Sequence, residues 1–421
     1  MLQSLREMGG FLRRLPTSFR VMMVRASVAN FVVNMNPYNS IYVFALGASG
    51  TELGLLTSIG LALTAISALL TGWLADRGDK KGIFLAGAAA GIMVPLTYAL
   101  SPSWGWLSLA FIVSGVADGI VQPSWTAMYA NSVSNRARGT VYGLANVFIL
   151  SPILFAGLIG GAIVSRSGGL TATGIRPVYW VQVALLLAVW IYIWRFLRMR
   201  GQADDGRPLS LRGMLEDYRE VLSIGGARSW VLMKSLGSIS IGMAGPFWML
   251  YASVVWGASA MTIAYMVTAR SLTQIVLSPL SGRMTDAIGR KRMIIGGRIV
   301  MYIASVIFLF GGGGWSLLPA WVLMGVNDAT GIAWSAKEVE LVGEKQRARM
   351  TALSTGAFNL LAVPASILGG YLWDSVGHIA PFILMVLIDG CLRMPIVYKY
   401  VPESEKAAEG PASDGSGFFT D

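Results

Sequence analysis

One short string occurs twice in the chain, roughly 210 residues apart. The first copy is Gly72-Trp-Leu-Ala-Asp76-Arg77-Gly78-Asp79-Lys80-Lys81, and the second is Gly282-Arg-Met-Thr-Asp286-Ala-Ile-Gly289-Arg290-Lys291-Arg292. Each copy ends one long apolar run and opens another. A glycine, an aspartate four residues on, then a glycine and basic residues rarely recur at a fixed offset. The recurrence divides the chain into two related halves, each with a short charged loop between two apolar segments. Internal repeats in membrane proteins point to solute carriers with a site between the repeats.

Composition agrees. Of 421 residues, 54% are hydrophobic and 13% charged, where a soluble domain carries about 25% charged residues. Apolar stretches of this length must satisfy every backbone group internally in lipid, so they are expected to be helices. The fold class expected is an all-α integral membrane protein of about twelve spans. These lie near 20–47, 51–75, 82–101, 104–131, 139–165, 176–198, 229–252, 259–282, 292–312, 316–338, 350–373 and 379–400. The single Cys391 excludes a disulfide framework, and His378 is the only histidine. No metal site and no cofactor are expected. No Ser/His pair falls within the spans, so an enzyme is not expected.

A net charge of +11 could suggest a nucleic-acid partner. Its distribution argues for lipid instead. With the N-terminus inside, the inner segments hold Arg6, Arg13, Arg14, Arg20, Arg77, Lys80, Lys81, Arg136, Arg138, Arg290, Lys291, Arg292, Lys345, Arg347 and Arg349. The outer loops hold little beyond Arg166 and Arg176. This asymmetry predicts both termini in the cytoplasm, and it explains any one basic cluster as topology rather than as a ligand site.

The divisions expected are a cytoplasmic arm over 1–19, a six-helix bundle over 20–199, a linker over 200–228, a second bundle over 229–401 and a disordered tail over 402–421. The first twenty residues lack an uninterrupted apolar core and a small-residue cleavage site, so a cleaved signal peptide is not expected. In the linker, Ser210 can cap a helix with Leu211, Met214, Leu215, Tyr218, Val221 and Leu222 on one face. It reads as a tether lying on the inner membrane face.

The repeat extends beyond the loop. Ser114-Gly115-Val116-Ala117-Asp118 matches Met324-Gly325-Val326-Asn327-Asp328. Arg136-Ala137-Arg138 precedes a span with Pro152 and Gly160-Gly161, as Arg347-Ala348-Arg349 precedes one with Pro364 and Gly369-Gly370. On these motifs the chain resembles the major facilitator superfamily, whose loop between helices two and three reads Gly-x-x-x-Asp-(Arg/Lys)-x-Gly-(Arg/Lys)-(Arg/Lys). The second copy has Ala287 at the usual basic position, and the first is one residue short with Asp79 in place of a basic residue. The resemblance implies two six-helix bundles about a pseudo-twofold axis and a monomer that works by alternating access. It implies gate roles for Gly72, Asp76, Arg77, Gly282, Asp286, Gly289 and Arg290. Asp76 would meet the start of span eleven near Met350, and Asp286 the start of span five near Gly139, latching the outward-facing state. The alternative is a helix cap with no switching role.

Polar residues inside spans are costly and mark solute or proton paths. Asn30, Asn34 and Tyr38 share one face of span one; Asp118, Gln122 and Trp125 share one face of span four. Arg270 and Gln274 stand one turn apart in span eight, and Asn327 and Asp328 occupy span ten at the place of Ala117 and Asp118. In the resembled fold these helices line one cavity. Each residue has a plainer alternative: Arg270 could be a static partner of Asp118 or Asp328, and the asparagines could bond only to neighbouring helices. Phe247, Trp248 and Trp334 are weaker candidates, since aromatics in spans mostly pack or sit at the interface. Asp389 and Arg393, four apart, are expected to pair.

No phosphate-cradling Gly-x-x-x-x-Gly-Lys-Ser/Thr loop is present, so an ion gradient is the expected driving force. Asp118 or Asp328 could load and release a proton. The partners expected are a small-molecule substrate, protons and the lipid bilayer. An acid among aromatics favours a proton-coupled exporter of lipophilic or cationic molecules. Arg270 with the span-one asparagines fits an importer of an organic anion or a zwitterion. A receptor or scaffold that transports nothing is the third reading, disfavoured by the paired gate loops.

Overall fold

The computed structural model describes residues 17–75, 80–131, 148–197, 211–342 and 347–400. Among the described residues every regular element is helical. Of these helices, nine are long and apolar enough to cross a membrane. They are the expected spans two to six, eight, nine, eleven and twelve. Phe155, Ile303 and Val306 stand 50–63% exposed on them, which is stable only against lipid.

The other three spans are broken helices. Span one runs over Thr17–Met35 and resumes at Asn39–Ala45. Span seven runs over Ala227–Ala244, passes through a single 3-10 turn at Gly245–Phe247, and continues over Trp248–Val254. Span ten runs over Leu317–Ala329 and Gly331–Glu340. Pro37 and Pro246 mark the first two breaks. A proline has no N–H to give the preceding turn and disfavours helical backbone in the residue before it.

The two halves repeat one packing scheme. Gly115 of span four (Leu107–Asn131) lies against the carbonyl of Gly60 in span two (Gly50–Ala75). Gly325 of span ten lies against the carbonyl of Arg270 in span eight (Ala260–Ile288). Gly160 of span five meets the carbonyl of Met35, and Gly369 of span eleven (Arg347–Ser375) that of Met243. At each seat a β-carbon would collide with backbone, so only glycine allows this approach.

The halves join through spans two and eleven and through spans five and eight. We call the end carrying Ser49, Ser101, Ser259 and Ser375 the outer end, after the charge asymmetry of the sequence. The linker helix, Leu211–Ser223, buries Val221 with Trp230, Met293, Met350 and Val397, so it docks on the inner face of the second bundle.

One element differs from expectation. The sequence pattern ends span eight at 282 and places a charged loop after it. The helix instead runs to Ile288, and only Gly289, at φ 93°, separates it from span nine, Arg290–Phe310. A glycine takes positive φ without a steric penalty and so can turn the chain in one residue. Asp286 therefore lies in the last helical turn, where it is exposed.

Candidate functional site

A cavity of about 300 Å³ opens between the halves. Asn34, Pro37, Arg270, Gln274, Trp321 and Asp328 are on its wall. The helix breaks shape it, because Pro37 of span one and Met249 of span seven both face it. A second cavity, of about 310 Å³, lies between spans one, two, four, seven and eleven. Leu53, Leu61, Phe111, Ile241, Pro246 and Phe358 make it apolar. One break thus stands on the wall of each chamber, Pro37 on the polar one and Pro246 on the apolar one, and interrupted helices at matching places are the usual position of a solute site.

The polar chamber is organised by one ion pair. Arg270 Nε donates to Asp328 Oδ2 at 2.6 Å, and its Nη2 to Oδ1 at 3.1 Å. The Asn327 side-chain amide donates to the same Oδ1 at 3.5 Å. The guanidinium carbon stands 5.4 Å from the centre of the Trp321 ring. Side-chain exposures of 40% for Arg270 and 20% for Asp328 make this a wet pair, reachable by a solute.

The structure brings together Asn34, Arg270, Gln274, Asn327 and Asp328, all on or beside this chamber. Asn34 and Asn30 donate to the carbonyls one turn back, Asn30 and Ala26, at 2.8 Å. Tyr38 does not join them. The break at 36–38 turns it off the asparagine face, and it is fully buried, donating to the Ala260 carbonyl at 2.9 Å. It ties span one to the start of span eight.

Asp118 is exposed and accepts from Ser114 Oγ at 3.3 Å, with Arg25 of span one within electrostatic range. It is not on the wall of the polar chamber. Gln122 is exposed on the same helix. Trp125 packs on Phe84, and both rings lie under the Arg25 guanidinium at 5.3 and 5.1 Å. Phe247 stacks on Trp373, and Trp248 packs on Phe308 and Phe382, so these two aromatics are packing groups. Trp334 lies 4.4 Å below the Arg393 guanidinium.

Gly72 falls within the helix of span two, while Asp76 and Arg77 lie outside the described residues. So does Gly139, the expected neighbour of Asp286. Among the described residues, none stands within 4 Å of where a β-carbon on Gly282 would lie. At the outer end the halves are closed. Asp374, at the end of span eleven, accepts from the backbone N–H of Gly50 at 2.9 Å and of Thr51 at 2.7 Å, and from the Thr51 hydroxyl at 2.7 Å. Ser58 donates across to the Val363 carbonyl, and Gly370 seats on that of Gly50.

Sequence reasoning passes over Arg25, Trp321 and Asp374. Arg25 and Trp321 stand inside predicted spans, and Arg25 as an intramembrane charge is a readable signal. The pairing of Pro37 with Pro246, 209 residues apart, is the second signal missed.

The relatives of the chain fit this architecture. The family model of the Major Facilitator Superfamily matches residues 21–255 and 231–419. Similar relatives include the multidrug resistance protein MdtG of Yersinia enterocolitica, 26% identical over 65% of this chain and 65% of that protein. The match thus spans just under two thirds of that relative. MdtG of Citrobacter koseri is 26% identical over 69% of this chain and 72% of its own. Among solved structures, the nucleoside transporter NupG aligns with TM-score 0.68 at 11% identity, covering 91% of this chain and 98% of that one. The human organic anion transporter MFSD10 aligns with TM-score 0.65 at 13% identity, covering 90% and 99%. The chain is a membrane-spanning member of the Major Facilitator Superfamily.

Proposed function

We propose that this protein is a proton-driven exporter of amphipathic, largely apolar organic molecules, working as a monomer in the cell membrane with both termini in the cytoplasm. The observation that carries this reading is the pair of cavities between the halves, one polar and one apolar, with a helix break on the wall of each. The similarity to multidrug resistance proteins favours export. Closure at the outer end fits a carrier facing inward. Asp118 and Asp328 each have a guanidinium close by, Arg25 and Arg270. A proton on Asp328 would release Arg270, and one on Asp118 would remove the charge that Arg25 senses, which gives a route from proton binding to a change of state.

The test is efflux of a panel of fluorescent amphipathic compounds from energised cells, with and without a protonophore. Asp118→Asn is expected to abolish accumulation against a gradient while counterflow persists. Retention of gradient-driven efflux in that variant removes Asp118 from the proton path. Absence of both efflux and counterflow for the whole panel would refute the export reading. The weight would then move to uptake of an organic anion or zwitterion, for which Arg270 is the supporting residue.

A further inference from the structure

The polar chamber offers a solute donors from Arg270, Trp321 and Gln274, and its neutral acceptors are the side-chain oxygens of Asn34, Ser271 and Gln274. Asp328 is the one carboxylate on its described wall, and both its oxygens are engaged by Arg270 and Asn327. A cation would have to displace a bidentate guanidinium to reach it, and charge-assisted pairs of this kind are the strong ones. The donors are differently placed. Trp321 lines the chamber, is 2% exposed, and its indole N–H has no hydrogen-bond partner among the described residues. A buried N–H left unpaired is costly, so it favours any ligand that brings an acceptor. The Arg270 guanidinium lies over the same ring and spends only Nε and Nη2 on Asp328. Gln274 adds an amide on the same wall.

We propose that the polar end of the solute is an oxygen acceptor, such as a carbonyl, phosphoryl or carboxylate oxygen, and that the Trp321 N–H is the donor that selects it. The apolar body of the same molecule would lie in the second cavity, against Phe111 and Phe358. A phosphonium with no N–H and no oxygen would meet here no carboxylate that is not already occupied. This assignment rests on the reading of the chambers as the solute site, but it does not depend on direction or on coupling.

Two probes of like shape separate acceptor from charge. Triphenylphosphine oxide is neutral with one strong acceptor oxygen; tetraphenylphosphonium carries a positive charge and no acceptor. Equilibrium binding of each, radiolabelled, is measured on the full chain in lipid nanodiscs. The wild type is expected to hold the oxide at least about tenfold more tightly than the phosphonium. Trp321→Phe keeps a ring beneath Arg270 and removes only the N–H. It should weaken the oxide about five- to tenfold and leave the phosphonium unchanged. The wild-type preference tests the proposal even if the variant folds poorly. A wild type that prefers the phosphonium, equal loss of both probes in Trp321→Phe, or binding of neither probe overturns it. Because binding is read at equilibrium, failed efflux with an intact oxide preference would sink the export reading alone.

Discussion

Arginine serves two opposite ends in the second bundle, and water decides which. Arg270 meets Asp328 in a wet chamber, whereas Asp389 is fully buried between Arg298 and Arg393, each at 2.8 Å. Tyr302 donates to the same carboxylate. Removing one partner of a dry network strands a buried charge. Asp389→Ala is therefore expected to cost about 3–5 kcal/mol, seen as a collapse of thermal stability and yield in detergent. The coupling between Arg270 and Asp328, read from a double-mutant cycle of melting temperatures, should be only about 1 kcal/mol because the pair is solvated. Equal penalties at both places would show that the chamber is dry. The spacing of Asp389 and Arg393 makes that pair legible in the sequence, since residues four apart share a helix face. Arg298 is not legible as the third member, because it comes from 91 residues away. Tyr38 fails for a related reason: the period of 3.6 that puts it with Asn30 and Asn34 does not survive a proline.

Elements carry the symmetry that residues hide. The glycine seats repeat between halves at nearly constant offset, and they set how closely span five approaches span one and span eleven approaches span seven. A β-carbon at Gly160 or Gly369 would press on backbone, which cannot rotate away. Gly160→Ala and Gly369→Ala are each expected to destabilise by about 1–3 kcal/mol, measured by thermal unfolding in nanodiscs. At Gly282 a β-carbon meets none of the described residues in this conformation, so Gly282→Leu is expected to leave thermal stability near that of the wild type. Its turnover should nonetheless fall severalfold if span eight packs closely in the opposite state. A Gly282→Leu variant that transports at the wild-type rate would remove that glycine from the gate. Twelve spans and two bundles are legible because the apolar lengths and the repeat are properties of the chain itself. The extent of span eight is not, since a single positive-φ glycine can replace a loop that charge patterning suggests.

At the scale of the whole molecule, the outer closure hangs on a carboxylate from one half and backbone amides from the other. Substituting Asp374→Ala removes three hydrogen bonds between the halves and should shift the population toward the outward-open state. Spin labels at Leu46 and Val376, in a Cys391→Ser background, would report this as a new long distance. An unchanged distance distribution would place the closure in the packed glycines instead. The start of span two divides its own backbone donors between the two halves. Ser49 and Glu52 cap each other, with Glu52 accepting from the Ser49 N–H at 2.6 Å and donating its own N–H to Ser49 Oγ at 3.2 Å. Leu53 donates to the Ser49 carbonyl at 3.0 Å. The helix therefore satisfies half of its first turn alone and leaves Gly50 and Thr51 to the other bundle. When the halves part, those two amides and the carboxylate are hydrated, and the number of bonds hardly changes. A fastening that trades protein for water one bond at a time keeps only the small net preference for closure that each exchange leaves, about 0.5–1.5 kcal/mol. It works less like a glue than like a ratchet tooth, leaving the direction of the stroke to whatever gradient and cargo are present.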